Sequence, residues 1–228
     1  MIKTVCWDWN KVNDAYWTKP AEEVYFLLHR WNKLHYSTVL DLGCGVGRHS
    51  LLFAQHGFNV TALDLSESGL HILSISARKL KLSIETVLAD VTSLPLKDAS
   101  YDAVLAYHSM YHVDSEGMLH AINEVHRILK SNGEAFLTFT SKSTFSYTDP
   151  ECQIIDSNVR MKKEEDGSIL PHYFSDQEDI YRLMEKFKII KLRQVEDIFD
   201  GKSSWHYFVH ASVEKQMNPP NKSLKPTP

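Results

Sequence analysis

Several features are scarce in this chain, and each scarcity excludes something. Three cysteines, Cys6, Cys44 and Cys152, stand far apart; neither a disulfide framework nor a cysteine-based metal site follows, and no metal is expected. Basic residues are not in excess: 25 Lys+Arg face 29 Asp+Glu, for a net charge of −4. Without an overall basic field, neither nucleic acid nor an anionic membrane is the expected partner. No stretch approaches the roughly 18 consecutive apolar residues of a membrane-crossing helix, and Met1 to Asp8 do not read as a signal peptide. The expected compartment is the cytoplasm. Glycine and proline are few and unevenly placed. Of nine glycines, Gly43, Gly45 and Gly47 fall within five residues, and half of the eight prolines lie in the last ten positions. That tail, 216–228, shows no apolar periodicity and is expected to be disordered.

What remains is an ordinary globular composition, 43% hydrophobic and 24% charged over 228 residues, enough for one generous domain. Residues 1–36 are dense in aromatics: Trp7, Trp9, Tyr16, Trp17, Tyr25, Phe26, Trp31 and Tyr36. Within them Pro20 to Trp31 read as a helix whose Val24, Leu27, Leu28 and Trp31 share one face. Two compatible roles follow for this segment, a cap packed on the main domain and a lid over a pocket.

From Thr38 onward, short β-branched runs alternate with helical patterns. Strands are expected at Thr38–Asp41, Asn59–Asp64, Ile84–Ala89, Ala103–Tyr107 and Glu134–Thr140. Helices are expected at Arg48–His56, Ser66–Leu80 and Ser115–Lys130, the last stopped by Lys130 and Gly133. Such alternation means parallel βαβ units with right-handed crossovers, an α/β fold with helices on both faces. Residues 141–172 break the rhythm and read as an insertion beside the site. A helix at Ser175–Lys186, capped by Ser175 with Glu178, then precedes two strands near Phe187–Glu196 and Ser204–Val213. A turn at Asp200-Gly201 makes that last pair antiparallel. The main domain therefore runs over 37–215.

The chemistry centres on Asp41-Leu42-Gly43-Cys44-Gly45-Val46-Gly47-Arg48, a strand, a glycine loop and a helix start. Glycines let the backbone turn sharply and approach a ligand that a Cβ would exclude. Arg48 stands where a pyrophosphate-binding GxGxxG loop would carry its third glycine. Asp41 brings negative charge toward the loop, which suits a ligand with a cationic amino group better than an anion. Asp64 ends the second strand, where a carboxylate can accept from ribose hydroxyls. Asp90 ends the third, where it could accept from an adenine amino group. Singly, each acid could be a helix cap or a turn former. Three at the tips of consecutive strands around one glycine loop point to a ligand site.

Together these residues resemble the class I S-adenosylmethionine-dependent methyltransferases. Asp41-Leu42-Gly43-Cys44-Gly45-Val46-Gly47 is similar to that family's first motif. Leu63-Asp64-Leu65-Ser66, Ala89-Asp90-Val91-Thr92-Ser93-Leu94-Pro95-Leu96, Tyr101-Asp102-Ala103-Val104 and Ile128-Leu129-Lys130-Ser131-Asn132-Gly133-Glu134 follow in register over residues 36–140. The resemblance implies a Rossmann-like seven-stranded, mostly parallel sheet with an antiparallel last strand. It implies S-adenosylmethionine as cofactor and S-adenosylhomocysteine as product. It assigns the Gly43–Gly47 backbone, Cys44 included, and Asp41 to the methionine part, Asp64 to the ribose, Leu65 and Val91 to the adenine faces, Asp90 to the adenine amino group, and Tyr107 to the backbone that meets the methionine amine.

In methyl transfer from a sulfonium the cofactor brings the electrophile; the protein aligns the acceptor and supplies a base only where the nucleophile starts protonated. The fourth strand exits into Tyr107-His108-Ser109-Met110-Tyr111-His112-Val113-Asp114. His108, Tyr111 and His112 are the candidate catalytic residues, and Asp114 reads as the next helix cap. Tyr16, Trp17, His172 and Tyr173 are candidates for the acceptor pocket. No Asn/Asp-Pro-Pro-Tyr pattern follows the fourth strand, which disfavours base or glutamine amino methylation, and the cysteines do not suit arsenite. A small-molecule acceptor fits best, with the chain a monomer or homodimer. The alternatives are a non-catalytic protein binding the same cofactor and an NAD-dependent oxidoreductase. Arg48, Asp41 and the terminal hairpin argue against the oxidoreductase.

Overall fold

A computed structural model describes residues 6–11, 15–163, 168–199 and 201–214. Residues 216–228, expected to be disordered, lie outside the described residues, as does the side chain of Tyr16. The described chain runs α1 (Glu22–Lys33), β1 (Thr38–Leu42), α2 (Arg48–Gln55), β2 (Asn59–Asp64), α3 (Glu67–Leu80), β3 (Ile84–Leu88), β4 (Tyr101–Ala106), α4 (Ser115–Ile128), β5 (Leu129–Ser141), β6 (Gln153–Ile154), β7 (Val159–Lys163), β8 (Ile169–Ser175), α5 (Gln177–Leu183), β9 (Lys188–Phe199) and β10 (Lys202–Ser212). No helix among the described residues is long and apolar enough to cross a membrane.

Seven strands form the main sheet in the order β3-β2-β1-β4-β5-β10-β9. The first five pair in parallel. β10 runs antiparallel between β5 and β9, so the terminal hairpin lies along one side of the sheet. Strand alternation splits the apolar residues between two faces. Leu40, Leu42, Val104 and Ala106 pack with Met118, Ile122 and Val125 of α4 and Ile180 of α5. On the opposite face Val39, Ala103 and Leu105 pack with Val24, Leu27 and Trp31 of α1 and Phe53 of α2. Trp31, fully buried, stacks on Phe53 with ring centroids 5.3 Å apart.

The insertion adds three strands. β6, β7 and β8 make an antiparallel meander, and the end of β8 pairs in parallel with Thr140 and Ser141 of β5. β4 accompanies β5 only as far as Leu137. The insertion therefore occupies the place beside β5 that β4 vacates, directly over the exit of β4. The Tyr173 N–H donates to the Tyr111 carbonyl at 2.8 Å and fixes that contact.

Two local expectations need correction. α4 stops at Ile128 and passes straight into β5; the left-handed residue is Asn132 (φ 64°), not Gly133. Asparagine tolerates this conformation, so the turn formed one residue earlier than glycine placement suggested. α5 is capped by Asp176, whose side chain accepts from the Asp179 N–H while Asp179 reciprocates; Ser175 is the last residue of β8. A carboxylate at both ends of the capping box outcompeted the Ser175–Glu178 pair. Residues 89–100 between β3 and β4 form turns.

At the amino ends of the central strands, Glu134 ties the first helix to the sheet. It is 3% exposed and accepts from Arg30 Nε and Nη2, from Trp31 Nε1 at 3.0 Å, and from His210 Nε2 at 2.8 Å. Burial pushes this carboxyl up, but the His210 and Arg30 hydrogen bonds outweigh it and hold the group down at about 2. A depressed carboxyl contributes stability above its ordinary value and loses it as pH falls through the folded one. Acid destabilisation from Glu134 should therefore set in below about 4.5 and be complete near 2. Glu134→Ala, which leaves Arg30 and His210 facing an empty partner, should cost about 3–5 kcal/mol in urea unfolding and abolish that acid-dependent increment.

Candidate active site

The glycine loop leaves β1 at the carboxyl edge of the sheet. Gly43 and Gly45 have φ of 70° and 54°, a region that residues with a Cβ rarely adopt. Space is as restrictive as backbone conformation. A Cβ on Gly43 would stand 2.3 Å from Ser109 Cβ, and one on Gly45 would stand 2.5 Å from the Trp9 ring. The Gly43 and Cys44 N–H groups both donate to the Leu63 carbonyl, at 2.7 and 3.0 Å, which lashes the loop to the end of β2.

Asp64 completes that junction. Its Oδ2 accepts from the Gly45 N–H and its Oδ1 from the Ser66 N–H, both at 2.7 Å. Burial nevertheless pushes its carboxyl above the ordinary range, with the backbone donors offsetting part of the rise. The carboxylate offers about four acceptor positions against the backbone donors of Gly45, Ser66 and Leu65, which leaves capacity for a ligand.

A cavity of about 260 Å³ opens on this junction. Gly43, Asp64, Leu65 and Val91 form one side, from the loop and the ends of β2 and β3. His108, Ser109, Tyr111, His112 and Val113 come from the exit of β4, Lys162 and His172 from the insertion, and Cys6, Trp7, Trp9 and Trp17 from the amino-terminal segment. The three tryptophans pack edge to face or tilted, with centroids 5.8–6.3 Å apart. Ser66 Oγ donates to the Trp7 carbonyl at 2.6 Å, and the Trp9 N–H donates to Ser68 Oγ at 3.1 Å. Residues at the start of α3 thus hold the aromatic segment over the loop. His112 and His172 meet edge to face at 4.6 Å, and Trp7 lies 6.1 Å from His112.

Several sequence candidates fall together in this cavity: Gly43, Asp64, Leu65, Val91, His108, Tyr111, His112, Trp17 and His172. Others point elsewhere. Asp41 is buried on the α2 side of β1 and accepts from Ser50 Oγ at 2.5 Å; burial raises its carboxyl to about 6, the Ser50 bond offsetting part of the rise. Cys44 packs with Ala62, Leu70 and Leu73, and burial pushes its thiol well up. Asp90 Oδ1 accepts from Thr92 N–H and Oγ1, both at 2.8 Å, which is the turn-forming role of an Asx residue. Gly47, at φ 81°, caps α2 against Leu73. The Tyr107 hydroxyl donates to Glu23 Oε2 at 3.2 Å and its ring packs on Phe136, away from the cavity. Tyr173 sits in the core with α4 and α5 rather than in the acceptor pocket. It alternates with His172 along β8, so only one of the two can face the cavity. Asp114 caps α4 as expected, accepting from Gly117 N–H at 2.8 Å.

Sequence reasoning did not single out Ser109, Cys6 or Lys162. Ser109 Oγ donates to the Leu42 carbonyl at 2.7 Å and fills the space opposite Gly43; its neighbourhood to the two histidines was the available signal. Lys162 carries no local signal, because only the meander over β4 brings it to the site.

Comparison with known proteins bears on the family and the fold. Residues 39–133 match the family model described as a methyltransferase domain. Ubiquinone biosynthesis O-methyltransferase of Rickettsia typhi is 31% identical over 153 residues, covering 60% of this chain and 60% of that protein. Malonyl-[acyl-carrier protein] O-methyltransferase of Enterobacter lignolyticus is 34% identical over 118 residues, covering 51% of this chain and 45% of that protein. The chain thus spans about half to three fifths of the length of these curated relatives. A SAM-dependent methyltransferase structure from Methanosarcina mazei aligns with a TM-score of 0.71 at 19% identity, covering 86% of this chain and 99% of that one. The 1,6-didemethyltoxoflavin-N1-methyltransferase of Burkholderia thailandensis, solved with S-adenosylhomocysteine, aligns with a TM-score of 0.63 at 18% identity, covering 88% and 82%. Residues 39–133 are thus similar to the methyltransferase-domain family, and the fold that carries them is the one seen in S-adenosylmethionine-dependent methyltransferase structures.

Asp64 is the residue whose removal should be felt most directly at the loop. Asp64→Ala should weaken S-adenosylhomocysteine binding by ~1–3 kcal/mol through lost charge-assisted hydrogen bonds, read by calorimetric titration. An unchanged affinity would remove Asp64 from the ligand contacts and leave it a loop clasp alone.

Proposed function

We propose that this protein transfers a methyl group from S-adenosylmethionine to a small-molecule acceptor, by in-line displacement at the exit of β4. The observation that carries this reading is the single cavity shared by Gly43, Asp64, Leu65 and Val91 on one side and His108, Tyr111, His112 and His172 on the other. The residues present suit the cofactor: a loop floor without side chains at Gly43, a carboxylate with spare acceptor capacity at Asp64, and apolar side chains at Leu65 and Val91. When bound, the cofactor supplies a sulfonium methyl as electrophile.

The protein's own residues have three tasks. Asp64 and the glycine loop fix the donor end, and Trp7, Trp9 and Trp17 shield the cavity from water. Tyr111 and His172 bound the acceptor with flat, partly apolar surfaces, and the Lys162 ammonium favours an acceptor bearing an anionic or carbonyl oxygen. An oxygen nucleophile is favoured by the O-methyltransferase names of the sequence relatives. A carboxylate oxygen needs no base, whereas a hydroxyl starts protonated, and for that case His112 is assigned the role of base. Burial, with His206 and Arg48 nearby, holds the His108 imidazole well below its ordinary range, which leaves it a poor proton acceptor. In this reading the protein works in the cytoplasm, without nucleic acid or membrane as partner. Asp41, Cys44, Gly47, Asp90 and Tyr107, which lie outside the cavity lining, act by shaping the loop and strand ends.

Parallel calorimetric titrations with S-adenosylmethionine, S-adenosylhomocysteine and NAD should show micromolar binding of the first two and none of NAD. Binding of NAD alone would overturn the proposal in favour of an oxidoreductase. Binding without turnover on any screened phenol, carboxylate or amine would favour a non-catalytic cofactor-binding protein. With an acceptor in hand, His112→Ala should lower kcat about 10²-fold or more, with S-adenosylhomocysteine affinity retained. Unchanged turnover would leave His112 as a packing residue of the cavity wall.

A further inference from the structure

We propose that His108, His206 and Asp197 form a binding site for one divalent transition-metal ion, of which zinc is the representative case. The three come from separate places in the chain. His108 follows β4, Asp197 lies on β9 and His206 on β10. In the hairpin register His206 faces Val195 while Ser204 faces Asp197, so Asp197 and His206 are diagonal neighbours on one face of the sheet. His206 also pairs with Thr140 of β5, two residues from Thr138, whose Oγ1 accepts the His108 N–H at 2.6 Å. β5 thus holds the β4 exit and the hairpin in fixed relation.

Each of the three offers a ligand atom, and these atoms lie within 4.8 Å of one another. His206 Nδ1 and Asp197 Oδ2 are 3.8 Å apart, too far for a hydrogen bond. Two donors on one tetrahedral ion, each about 2.1 Å from it, stand roughly 3.4 Å apart, so a small side-chain adjustment suffices. Among the described residues, the Nδ1 atoms of His108 and His206 are both buried without a hydrogen-bond partner, although the rings meet at 4.3 Å. Buried imidazole nitrogens are ordinarily satisfied, and two neighbouring orphans beside a carboxylate are what a metal ion would satisfy. His108 is moreover held at φ 52°, an uncommon conformation for a residue of its bulk. Burial keeps both imidazoles in the neutral form that binds metal: His108 falls well below its ordinary range and His206 falls to about 4.

The surrounding charge is mixed. Glu23 is close enough to help raise the Asp197 carboxyl, and it accepts from Tyr107 at 3.2 Å and from Arg193 at 3.4 Å. It adds negative charge behind the site. Arg48, over the Trp17 and Tyr107 rings at 5.2 and 5.7 Å, adds positive charge near His108. Two nitrogens and one carboxylate oxygen match zinc, cobalt(II) or iron(II) rather than magnesium or calcium. Asp197, whose side chain is 41% exposed, gives the ion a path from solvent. His108 also lines the cavity, so a bound ion would add positive charge to its wall, where an acceptor hydroxyl would ionise more readily. The site itself does not rest on the methyltransferase reading.

The test is metal binding by the full chain, purified without a polyhistidine tag and stripped with chelator. Titration with Co2+, followed by visible absorption, should show one equivalent bound, displaced by Zn2+. Zn2+ should also raise Tm. Asp197→Asn and His206→Ala should each weaken binding at least about tenfold, while His71→Ala, an exposed histidine on α3, should not. Asp197→Asn is a surface change and keeps the test valid should His206→Ala fail to fold. Co2+ binding that is absent from the wild type, or that survives both variants unchanged, would overturn the site.

Discussion

The Asp64 carboxylate is the contact on which the site's geometry hangs. It joins the end of β2 to the glycine loop through Gly45 and to the start of α3 through Ser66. The loop can take that position because Gly43 and Gly45 accept left-handed backbone with no Cβ to meet Ser109 or Trp9. Ser66 in turn holds Trp7, and Ser68 holds Trp9. One half-buried carboxylate therefore sets the floor of the cavity and, through α3, its aromatic roof.

Burial of that carboxylate is costly, as the upward push on its pKa shows, and it is sustained by the backbone donors of Gly45, Ser66 and Leu65. Asp41 two residues before the loop meets the same cost with a side-chain donor, Ser50. Two acids at strand tips thus have different work. Asp64 lines the cavity and Asp41 anchors α2. The distinction follows from strand alternation: Asp41 shares the face of Val39, toward α1 and α2, and cannot also face the cavity.

Much of the architecture was legible in the residues. Val24, Leu27, Leu28 and Trp31 recur at helical spacing and are all buried in one face. Asn59–Asp64 is a strand from end to end, because a β-branched run between a turn and a helix cap leaves little choice. The antiparallel end of the sheet was implied by a turn where a crossover helix would otherwise be needed, and β9 and β10 pair as that requires. Boundaries were less legible where two caps compete within one or two residues. Asp176 over Ser175 and Asn132 over Gly133 were decided by which side chain or backbone could complete the local hydrogen bonds.

Local pattern by itself determined the strand–loop–helix at Asp41–Arg48, the acid at the tip of β2 and the alternation that makes the sheet parallel. These are short-range choices of backbone conformation and apolar period. Tertiary structure alone decided which residues share a cavity. It turned His172 inward and Tyr173 into the core, set Lys162 over β4 by seating the meander beside β5, and brought His108 within reach of His206 and Asp197, about ninety residues further along the chain. No spacing rule records such meetings. They arise because a parallel sheet gathers the carboxyl ends of strands that are remote in sequence, and because the returning hairpin must lie against β5.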